Sequence, residues 1–594
     1  MPSRRTSPIL AVFGFLSLAV LHIVLLYSPA TGYEISIYES TPLIAWACVI
    51  FSLFAGILII VRHVFAGRAD TNHFWIVGLL LIVLARFTFL YIPNFRGYFA
   101  WQGDHITHLG MIVDIAESGS ILGNYYPLTH IVLAEAHLLT ALPVEFLSLY
   151  STAFFSVFSV IAIFLLASAV FEDKRMQLLS IAAAGGVFFS SYDVLLMPNG
   201  WSMFLIPFLL FLYFRSRNSL QYRILTVVIL VAYPFFHPLS TVMVIKMLVV
   251  IGVLGILFSY IENQHAGFNI HVKQFPFFEV LLLSCIFIFW VLQFSRFEIN
   301  LMSIYTTIIL GGSLPSDPLA DMSEKLLKVN MGTIDFLTYT IKTLGSEAIY
   351  LLFTVLATIV VVARYRNERT FGSMGIFTSF LIITYLIGIL YLGYLLNVFS
   401  FLESLDPVRL QAFAVLFTPL AVAFVISYLL AKQHRAIARI CVALILIASI
   451  LSIISIYPSP YILQPNREIT MMDMAGMGWI LDSRDKDTDF VCINSPPTRY
   501  ADAILGKQQS SQTMRWKYPT IPDHFGYDQH PSLGYVYAQN QYAALTKMDR
   551  IMYSTVWEPV GRFNDADFER LNADRSVNRI YDNGETEVYY ITVV

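Results

Sequence analysis

The sequence predicts an α-helical polytopic membrane protein that carries a small α/β domain at its C-terminal end. Of its 594 residues, 57% are hydrophobic and only 13% are charged. Soluble domains carry roughly 25% charged residues. This chain has too few charges to cover a globular surface, so lipid must cover much of it. Residues 460–594 differ in kind, because Pro, Asp, Asn and Tyr occur throughout them.

Transmembrane helices need about 20 mostly apolar residues in succession. The first such run, Ile9–Tyr27, is longer than the roughly 7–15 residues of the apolar region in a signal peptide. No small-x-small cleavage site follows it, so we expect it to be retained as a span. About thirteen spans are predicted. They are centred at residues 9–28, 42–61, 74–93, 146–170, 177–197, 200–214, 223–237, 240–260, 277–295, 346–363, 374–396, 411–431 and 437–457.

Basic residues cluster in alternate loops and predict how the spans are oriented. They precede the first span and recur after every second span. Since loops rich in Lys and Arg stay in the cytoplasm, the N-terminus is expected there. The prediction places a transmembrane domain at 1–459 in the cell membrane. Its loops 94–145 and 298–345, and a soluble domain at 460–594, are expected on the outer side.

Local patterns predict secondary structure in the polar tail. Met471–Leu481 has the composition of a helix, and Asp489–Ile493 has that of a short strand. Asn583-Gly584 separates two runs of alternating hydrophobicity, which is a strong signal for a β-hairpin. These elements together predict a small α/β domain.

Composition and motifs exclude several classes of function. The net charge of −3 lacks the basic excess of a nucleic-acid-binding protein. The four cysteines are widely scattered and indicate neither a disulfide framework nor a zinc site. The sequence also contains no internal repeat and no Gly-rich phosphate loop. The chemistry is therefore expected among polar residues near the ends of the spans.

Polar residues concentrate at the start of the loop 94–145, directly after the third span. Trp101-Gln-Gly-Asp-His-Ile-Thr-His108 places one carboxylate and two imidazoles within five residues. The spacing from Asp104 to Ser118 predicts an amphipathic helix at the membrane interface. Its apolar face is expected to pack on the bundle and contains Ile106, Leu109, Val113 and Ala116. Its polar face is expected to line a cavity and contains Asp104, Thr107, His108, Met111, Asp114 and Ser118.

This loop resembles the first outer loop of the GT-C superfamily of membrane glycosyltransferases. That superfamily includes the protein mannosyltransferase and aminoarabinose transferase-like families. The matching residues are Asp104, the adjacent His105 and, after the amphipathic helix, Tyr126-Pro127. The sequence departs from the family pattern in two ways. Three spans precede the loop where many members have one, and His105 occupies the second position of an Asp-Glu pair.

The resemblance implies a GT-C-like fold and the chemistry of an inverting glycosyltransferase in cell surface glycosylation. The donor would be a sugar on a polyprenyl-phosphate carrier among the membrane lipids. The acceptor would be a glycan, lipid or protein on the outer side. Asp104 would be the general base that takes a proton from the acceptor hydroxyl as its oxygen attacks the anomeric carbon. The departing lipid phosphate would need cations nearby.

Cationic residues at the outer level of the spans are candidate ligands for that phosphate. They are Arg86, Lys246 and Arg409. Charged groups within spans usually face a polar interior, and the guanidinium of Arg409 matches phosphate oxygens best. Polar residues of the outer loop complete the predicted substrate site, and they are His105, His108, Asp114, Tyr126 and His130.

Structural roles compete with these functional ones. Asp104 is suited to cap the following helix, Arg86 to reach lipid headgroups and Lys246 to pair with an acid. The remaining polar residues of the loop could be solvated or could bond helix ends. A divalent metal ion between Asp104 and His108 is an alternative cofactor, although this pair alone is a weak metal motif.

Two other functions also fit the composition. One is a transporter or flippase of lipid-linked saccharides, and the other is a non-catalytic membrane scaffold. Transporters often contain inverted repeats and broken helices at the midplane, whereas the charges here gather at the outer face. The Asp-His-His cluster argues weakly against a scaffold. Loop 298–345, which contains Gly311–Pro318, is expected to be either a lid over the substrate or a plain connector.

Overall fold

The computed structural model describes residues 6–217, 219–266, 275–295, 297–299, 302, 305–306, 328, 331–368, 374–396, 409–515 and 519–594. Within these ranges the chain forms a bundle of apolar helices followed by a domain that contains a four-stranded sheet. The fold class predicted from composition, a polytopic helical membrane protein with a small C-terminal α/β domain, is confirmed. The segment Gly311–Pro318 of the suggested lid lies outside the described residues.

Every predicted span overlaps at least one helix of the bundle. Among the described residues, 8 helices are long and apolar enough to cross a membrane. The other predicted spans are formed by shorter helices. In chain order the elements of this region are α1 (Thr6–Leu26), α2 (Ile37–Ser40), α3 (Leu43–Phe65), α4 (Trp75–Leu90), α5 (Ile92–Phe95), β1 (Ala100–Trp101), α6 (Asp104–Ser118), α7 (Leu128–Thr140), α8 (Val144–Val170), α9 (Lys174–Gly185), α10 (Ser191–Val194), α11 (Pro198–Ser216), α12 (Leu220–Ala232), α13 (Pro238–Ala266), α14 (Phe277–Val291), α15 (Thr333–Glu368), α16 (Gly375–Leu395), α17 (Leu410–Val415), α18 (Thr418–Ala431) and α19 (Arg435–Ser455).

The span predicted at 177–197 is not one continuous helix. Helix α9 ends at Gly185, and the short α10 begins only at Ser191. Arg86 of α4 lies beside this break and donates a hydrogen bond to the carbonyl oxygen of Val187. A backbone carbonyl freed by a broken helix needs such a partner inside a membrane bundle. Gly185-Gly186 at the end of α9 is a local signal for this break that the predicted span did not take into account.

Glycines allow α3 and α4 to approach closely. A Cβ atom on Gly56 would lie 2.7 Å from the carbonyl oxygen of Gly78, and a Cβ on Gly78 would lie 2.7 Å from the carbonyl oxygen of Gly56. No residue with a side chain fits at that distance. This is the small-residue packing by which membrane helices associate without a hydrophobic driving force.

The tail folds into an α/β domain. Its elements are β2 (Glu468–Ile469), α20 (Met471–Ser483), β3 (Asp489–Val491), α21 (Pro497–Leu505), α22 (Lys507–Thr513), β4 (Gln541–Thr546), α23 (Lys547–Ser554), α24 (Asp565–Ala573), β5 (Val577–Asp582) and β6 (Thr586–Ile591). The sheet has the strand order β3-β4-β6-β5, with β3 parallel to β4 and the other pairs antiparallel.

The predicted elements of the tail are confirmed. The helix predicted at Met471–Leu481 is α20, and the strand predicted at Asp489–Ile493 is β3. The predicted hairpin joins β5 to β6 through Asn583-Gly584. Gly584 has a φ of +88°. Glycine adopts this left-handed conformation without steric cost, which explains its place in the turn.

Helix α6 lies between the bundle and the tail. Strand β1, just before α6, pairs antiparallel with β2 of the tail, with Ala100 opposite Ile469. The apolar face of α6 is buried, and Ile106 belongs to a hydrophobic cluster that also contains Trp201 of the bundle and Tyr500 of the tail. The tail therefore covers part of a face that was expected to pack on the bundle.

Gly110 of α6 lies very close to the tail backbone. A Cβ atom on it would be 2.0 Å from the carbonyl oxygen of Asp502. The side chain of Asp502 strengthens the same contact, because its Oδ2 accepts a hydrogen bond from the Thr107 hydroxyl at 2.7 Å. Only glycine at position 110 allows α6 and α21 to be this close.

The substitution Gly110→Ala is expected to destabilise the contact between α6 and the tail. The added methyl group meets backbone atoms, so we expect a cost of about 1–3 kcal/mol, the usual range for overpacking. Thermal unfolding of the purified protein in detergent measures it. Gly478→Ala in α20 is the control, since a Cβ there meets nothing within 4 Å and should stabilise by roughly 0.5–1 kcal/mol. Equal unfolding temperatures for the two variants would contradict the contact.

Glu468 makes the stability of the tail depend on pH. It lies in β2 and is only 6% exposed, and burial raises the pKa of its carboxyl group to about 8. The folded protein thus retains a proton that an unfolded chain, with a Glu pKa of about 4.3, releases. Because the folded state binds more protons, the contribution of Glu468 to the free energy of unfolding is greatest below about pH 4. This contribution is lost as the pH rises to about 8.

We therefore expect the Glu468→Gln variant to become more stable relative to wild type as the pH rises from about 5 to about 8, since glutamine does not titrate in this range. Unfolding temperatures of both proteins across this range test the expectation. A difference between the two that stays constant with pH would show that Glu468 does not retain its proton.

Candidate active site

A cavity of about 1130 Å³ lies where α6, the spans and the tail meet. Part of its wall is apolar and comes from the spans, including Val242 and Met243 of α13 and Leu390 of α16. The opposite part is polar and comes from α6, from the loop after it and from α21 and α22 of the tail. Such a wall suits a ligand with one apolar and one charged part.

The polar face of α6 contributes five residues to the cavity wall: Asp104, Thr107, His108, Met111 and Asp114. Helix α6 begins at Asp104, so Gly103 is in the N-cap position and no side chain caps the helix. The alternative role of Asp104 as a capping residue is therefore not observed. Its carboxylate, 53% exposed, instead pairs with Arg499, whose Nη2 lies 2.8 Å from Oδ1.

The tail supplies two cationic residues to the cavity that were not predicted from the sequence. Arg499 of α21 contacts Asp104 through one nitrogen and donates through Nη1 to the Thr107 hydroxyl at 2.7 Å. Lys507 begins α22, and its Nζ lies 3.2 Å from Oδ1 of Asp502. The arginine fork holds two consecutive turns of α6 in register with α21.

Positive charge predominates among the described residues of the cavity wall. The bundle contributes Lys246 of α13 and Arg409, next to the start of α17, and both were predicted. The charged residues together are Lys246, Arg409, Arg499 and Lys507, against Asp104 and Asp114. An excess of cations in a cleft with low-dielectric walls attracts an anionic ligand.

Tyr126 also lines the cavity, as part of an aromatic group. Its ring stacks on His237 with a centroid distance of 5.6 Å and an interplanar angle of 24°. It meets His108 edge to face at 5.8 Å. His237 belongs to the cavity wall as well. Flat rings at the cavity wall provide surfaces on which a sugar or a lipid chain can pack.

The three predicted histidines lie in different surroundings. His108 faces the cavity, and burial lowers its pKa to about 4 although the nearby Asp104 opposes this effect. His130 is fully buried behind it, with its Nε2 3.0 Å from Nδ1 of His108. His105 is also fully buried, and its Nδ1 accepts the backbone N–H of Leu196 at 3.1 Å. Burial lowers the pKa of His105 to about 3, so its ring is neutral.

Arg86 is likewise placed inside the bundle. It pairs with Asp193 of α10 at 2.8 Å, and both side chains are fully buried. The structure therefore brings six of the nine predicted site residues to one cavity and places the other three outside its wall. The six are Asp104, His108, Asp114, Tyr126, Lys246 and Arg409, and the three are Arg86, His105 and His130.

The residues around Asp104 do not fit a divalent metal ion. Among the described residues, no group of three or more His, Cys, Asp or Glu side chains is arranged to hold one. Asp104 is paired with Arg499, and Nδ1 of His108 is engaged by His130. The alternative of a metal between Asp104 and His108 therefore has no third ligand of these types in the described part of the chain.

No protein-family model matches the sequence, and no curated protein is similar to it. Among solved structures, the chain is similar to the crystal structure of the Archaeoglobus fulgidus oligosaccharyltransferase in the apo form. The TM-score is 0.46 and the sequence identity is 13%, over 80% of this chain and 71% of that chain.

Asp114 fastens α6 to the tail. Its Oδ2 accepts the backbone N–H of Gln508, in the first turn of α22, at 2.9 Å. Asp114→Ala is expected to cost about 1 kcal/mol, as for a lost helix cap. Asp114→Asn keeps an acceptor oxygen and should cost little. Thermal unfolding compares the two, with the exposed Glu117→Ala on the same helix as control. Equal losses for Ala and Asn would contradict this role.

Proposed function

We propose that the protein is an inverting membrane glycosyltransferase of the GT-C type. It moves a sugar from a polyprenyl-phosphate carrier to a glycan, lipid or protein acceptor on the outer side of the cell membrane. The observation that carries the proposal is the cavity, in which a carboxylate and four cationic side chains lie beside an apolar wall made by the spans. The resemblance of the outer loop to GT-C enzymes supports the same reaction.

The two parts of the donor contact different parts of the cavity wall. The polyprenyl chain lies against the spans, where Val242 and Met243 line the cavity, and the phosphate lies among the cations. Arg409 and Lys246 come from the bundle, on the side where the lipid enters. Cationic donors placed around the phosphate stabilise the charge that develops on it as the sugar departs.

Asp104 is the proposed general base. Its carboxylate takes the proton of the acceptor hydroxyl while the hydroxyl oxygen forms a bond to the anomeric carbon. The bond from that carbon to the phosphate oxygen breaks at the same time, and the lipid phosphate leaves with the electron pair. Attack opposite to the leaving group inverts the anomeric carbon. Arg499 positions the base, because it holds Asp104 and Thr107 together.

The placement of the site on the outer side rests on two observations. Direct contact between α6 and the tail requires that both lie on the same side of the membrane. The distribution of Lys and Arg among the loops favours the outer side for both and the cytoplasm for the N-terminus. A substrate presented at the outer surface therefore reaches the cavity without crossing the bilayer.

Sugar transfer by the purified, reconstituted protein tests the proposal, with a panel of polyprenyl-phosphate sugars as donors. Asp104→Asn is expected to reduce transfer by about a hundredfold or more, as the loss of a general base does. Glu117→Gln, on the same helix but exposed, should retain the activity. Full activity of Asp104→Asn would remove this residue from the mechanism. Carrier movement between leaflets without sugar transfer would favour a flippase instead.

A further inference from the structure

Three side chains, Asn124, His130 and His108, form a line of hydrogen bonds in which the fully buried His130 lies between two residues of the cavity wall. The Asn124 end fixes the direction of these hydrogen bonds. Asn124 Oδ1 accepts the backbone N–H of Tyr126 at 3.2 Å, so its Nδ2 is the group that faces His130. Nδ2 lies 2.8 Å from Nδ1 of His130. Because an amide nitrogen only donates, Nδ1 of His130 accepts and carries no proton.

The position of the proton on His130 in turn fixes the position of the proton on His108. A neutral His130 that lacks a proton on Nδ1 carries it on Nε2. That Nε2 lies 3.0 Å from Nδ1 of His108 and therefore donates to it. His108 must then hold its own proton on Nε2. His108 lines the cavity, and its Nε2 is the ring nitrogen that His130 does not engage.

Burial keeps both histidine rings neutral, so the protons have one arrangement along the line. Asn124, His108 and His130 are 9%, 6% and 0% exposed. Burial lowers the pKa of His108 to about 4, and the positive charges of Arg499 and Arg409 act in the same direction. The ring of His108 is therefore neutral at physiological pH, and its one proton is held on the nitrogen that His130 does not engage.

We propose that Asn124 and His130 are positioning residues that hold His108 as a hydrogen-bond donor, and that its Nε2–H binds a phosphate oxygen of the lipid carrier. This inference rests on the proposed function and deepens it. Because Nε2 of His108 carries a proton, it cannot remove the proton of the acceptor hydroxyl. Asp104 and His108 therefore have different roles. Asp104 accepts the proton of the acceptor, and His108 holds the phosphate that leaves.

The charges around His108 favour a phosphate oxygen over a sugar hydroxyl as its partner. Two positive charges, those of Arg499 and Arg409, lower the pKa of the His108 ring, against one negative charge, that of Asp104, which raises it. An anionic oxygen gathers several donors, and hydrogen bonds to a charged acceptor are about twice as strong as those to a neutral one. The cations attract the phosphate by charge, and the neutral His108 adds a hydrogen bond of defined direction.

The substitution Asn124→Asp tests the direction of the line. The carboxylate still accepts the N–H of Tyr126, but it accepts from His130 where asparagine donates. The protons then move to Nδ1 on both rings, and His108 turns a lone pair toward the cavity. We expect the affinity for a polyprenyl monophosphate to fall about tenfold to a hundredfold. Affinity for the neutral polyprenol of the same length should not change.

Binding is measured with the purified full-length protein in detergent at about pH 8, where an ordinary imidazole is neutral. Unchanged affinity for the polyprenyl monophosphate in Asn124→Asp would overturn the proposal. Equal losses for the phosphate and the neutral polyprenol would also overturn it, because the defect would then concern the apolar wall. Should the aspartate variant not fold, Asn124→Ala leaves His130 free to take either tautomer and should cause a smaller loss of phosphate affinity.

A double-mutant cycle separates positioning from a merely structural role. His108→Gln presents its own amide donor, whose direction does not depend on Asn124. Asn124 itself lines the cavity, so in that background Asn124→Asp should cause only the smaller loss of phosphate affinity that repulsion by the new carboxylate produces. Equal losses in the two backgrounds would overturn the proposal.

Failure of the inference can be distinguished from failure of the proposed function. Wild-type protein that binds the lipid phosphate, with the dependence on Asn124 described above, but transfers no sugar would refute glycosyl transfer and leave the inference standing. Wild-type protein that transfers sugar, with full activity and phosphate affinity retained in Asn124→Asp, would refute the inference alone.

Discussion

The close contact between α6 and the tail determines whether the cavity exists. Gly110 lets the backbone of Asp502 approach α6, and the Thr107 hydroxyl donates to the Asp502 carboxylate. Arg499 reaches across the same contact to Asp104. Without the tail, the cavity would lose two of its four cations and the buried face of α6 would meet water. The tail is therefore a wall of the site, and the bundle alone cannot form it.

Charged side chains differ in exposure between the bundle interior and the cavity. Arg86 is neutralised by Asp193 in full burial, and such a pair is costly to break because one charge would remain uncompensated. Around the cavity, charges of both signs meet at a partly open surface, where a ligand can replace water. The first arrangement keeps a broken helix in place, and the second is suited to an anionic ligand.

The elements that were predicted correctly depend on local patterns. The bounds of α6 follow from its two faces, and the hairpin at Asn583-Gly584 follows from turn chemistry. Residues three apart on a helix are neighbours, so spacing alone does not separate His105 from His108. The packing does: His105 is buried against the backbone of Leu196, and only His108 lines the cavity.

The features that were missed depend on distant contacts. The helical break after Gly185 is the exception, because Gly185-Gly186 is a local turn signal that was missed. Arg499 and Lys507 reach the cavity only because α21 docks on α6, and no local pattern indicates which helix a tail residue will meet. The role of Asn124 requires the position of His130 relative to His108, which spacing alone does not provide.

The distance along the chain between the two halves of this contact has a consequence for biosynthesis. Thr107 and Asp502 are 395 residues apart, so α6 is made and exposed long before its partner exists. Chains fold in the order in which they are synthesised, and exposed apolar surface promotes aggregation in the meantime. A nascent chain whose translation stalls before α21 therefore has an incomplete cavity, and the apolar face of α6 that the tail covers in the finished protein stays exposed.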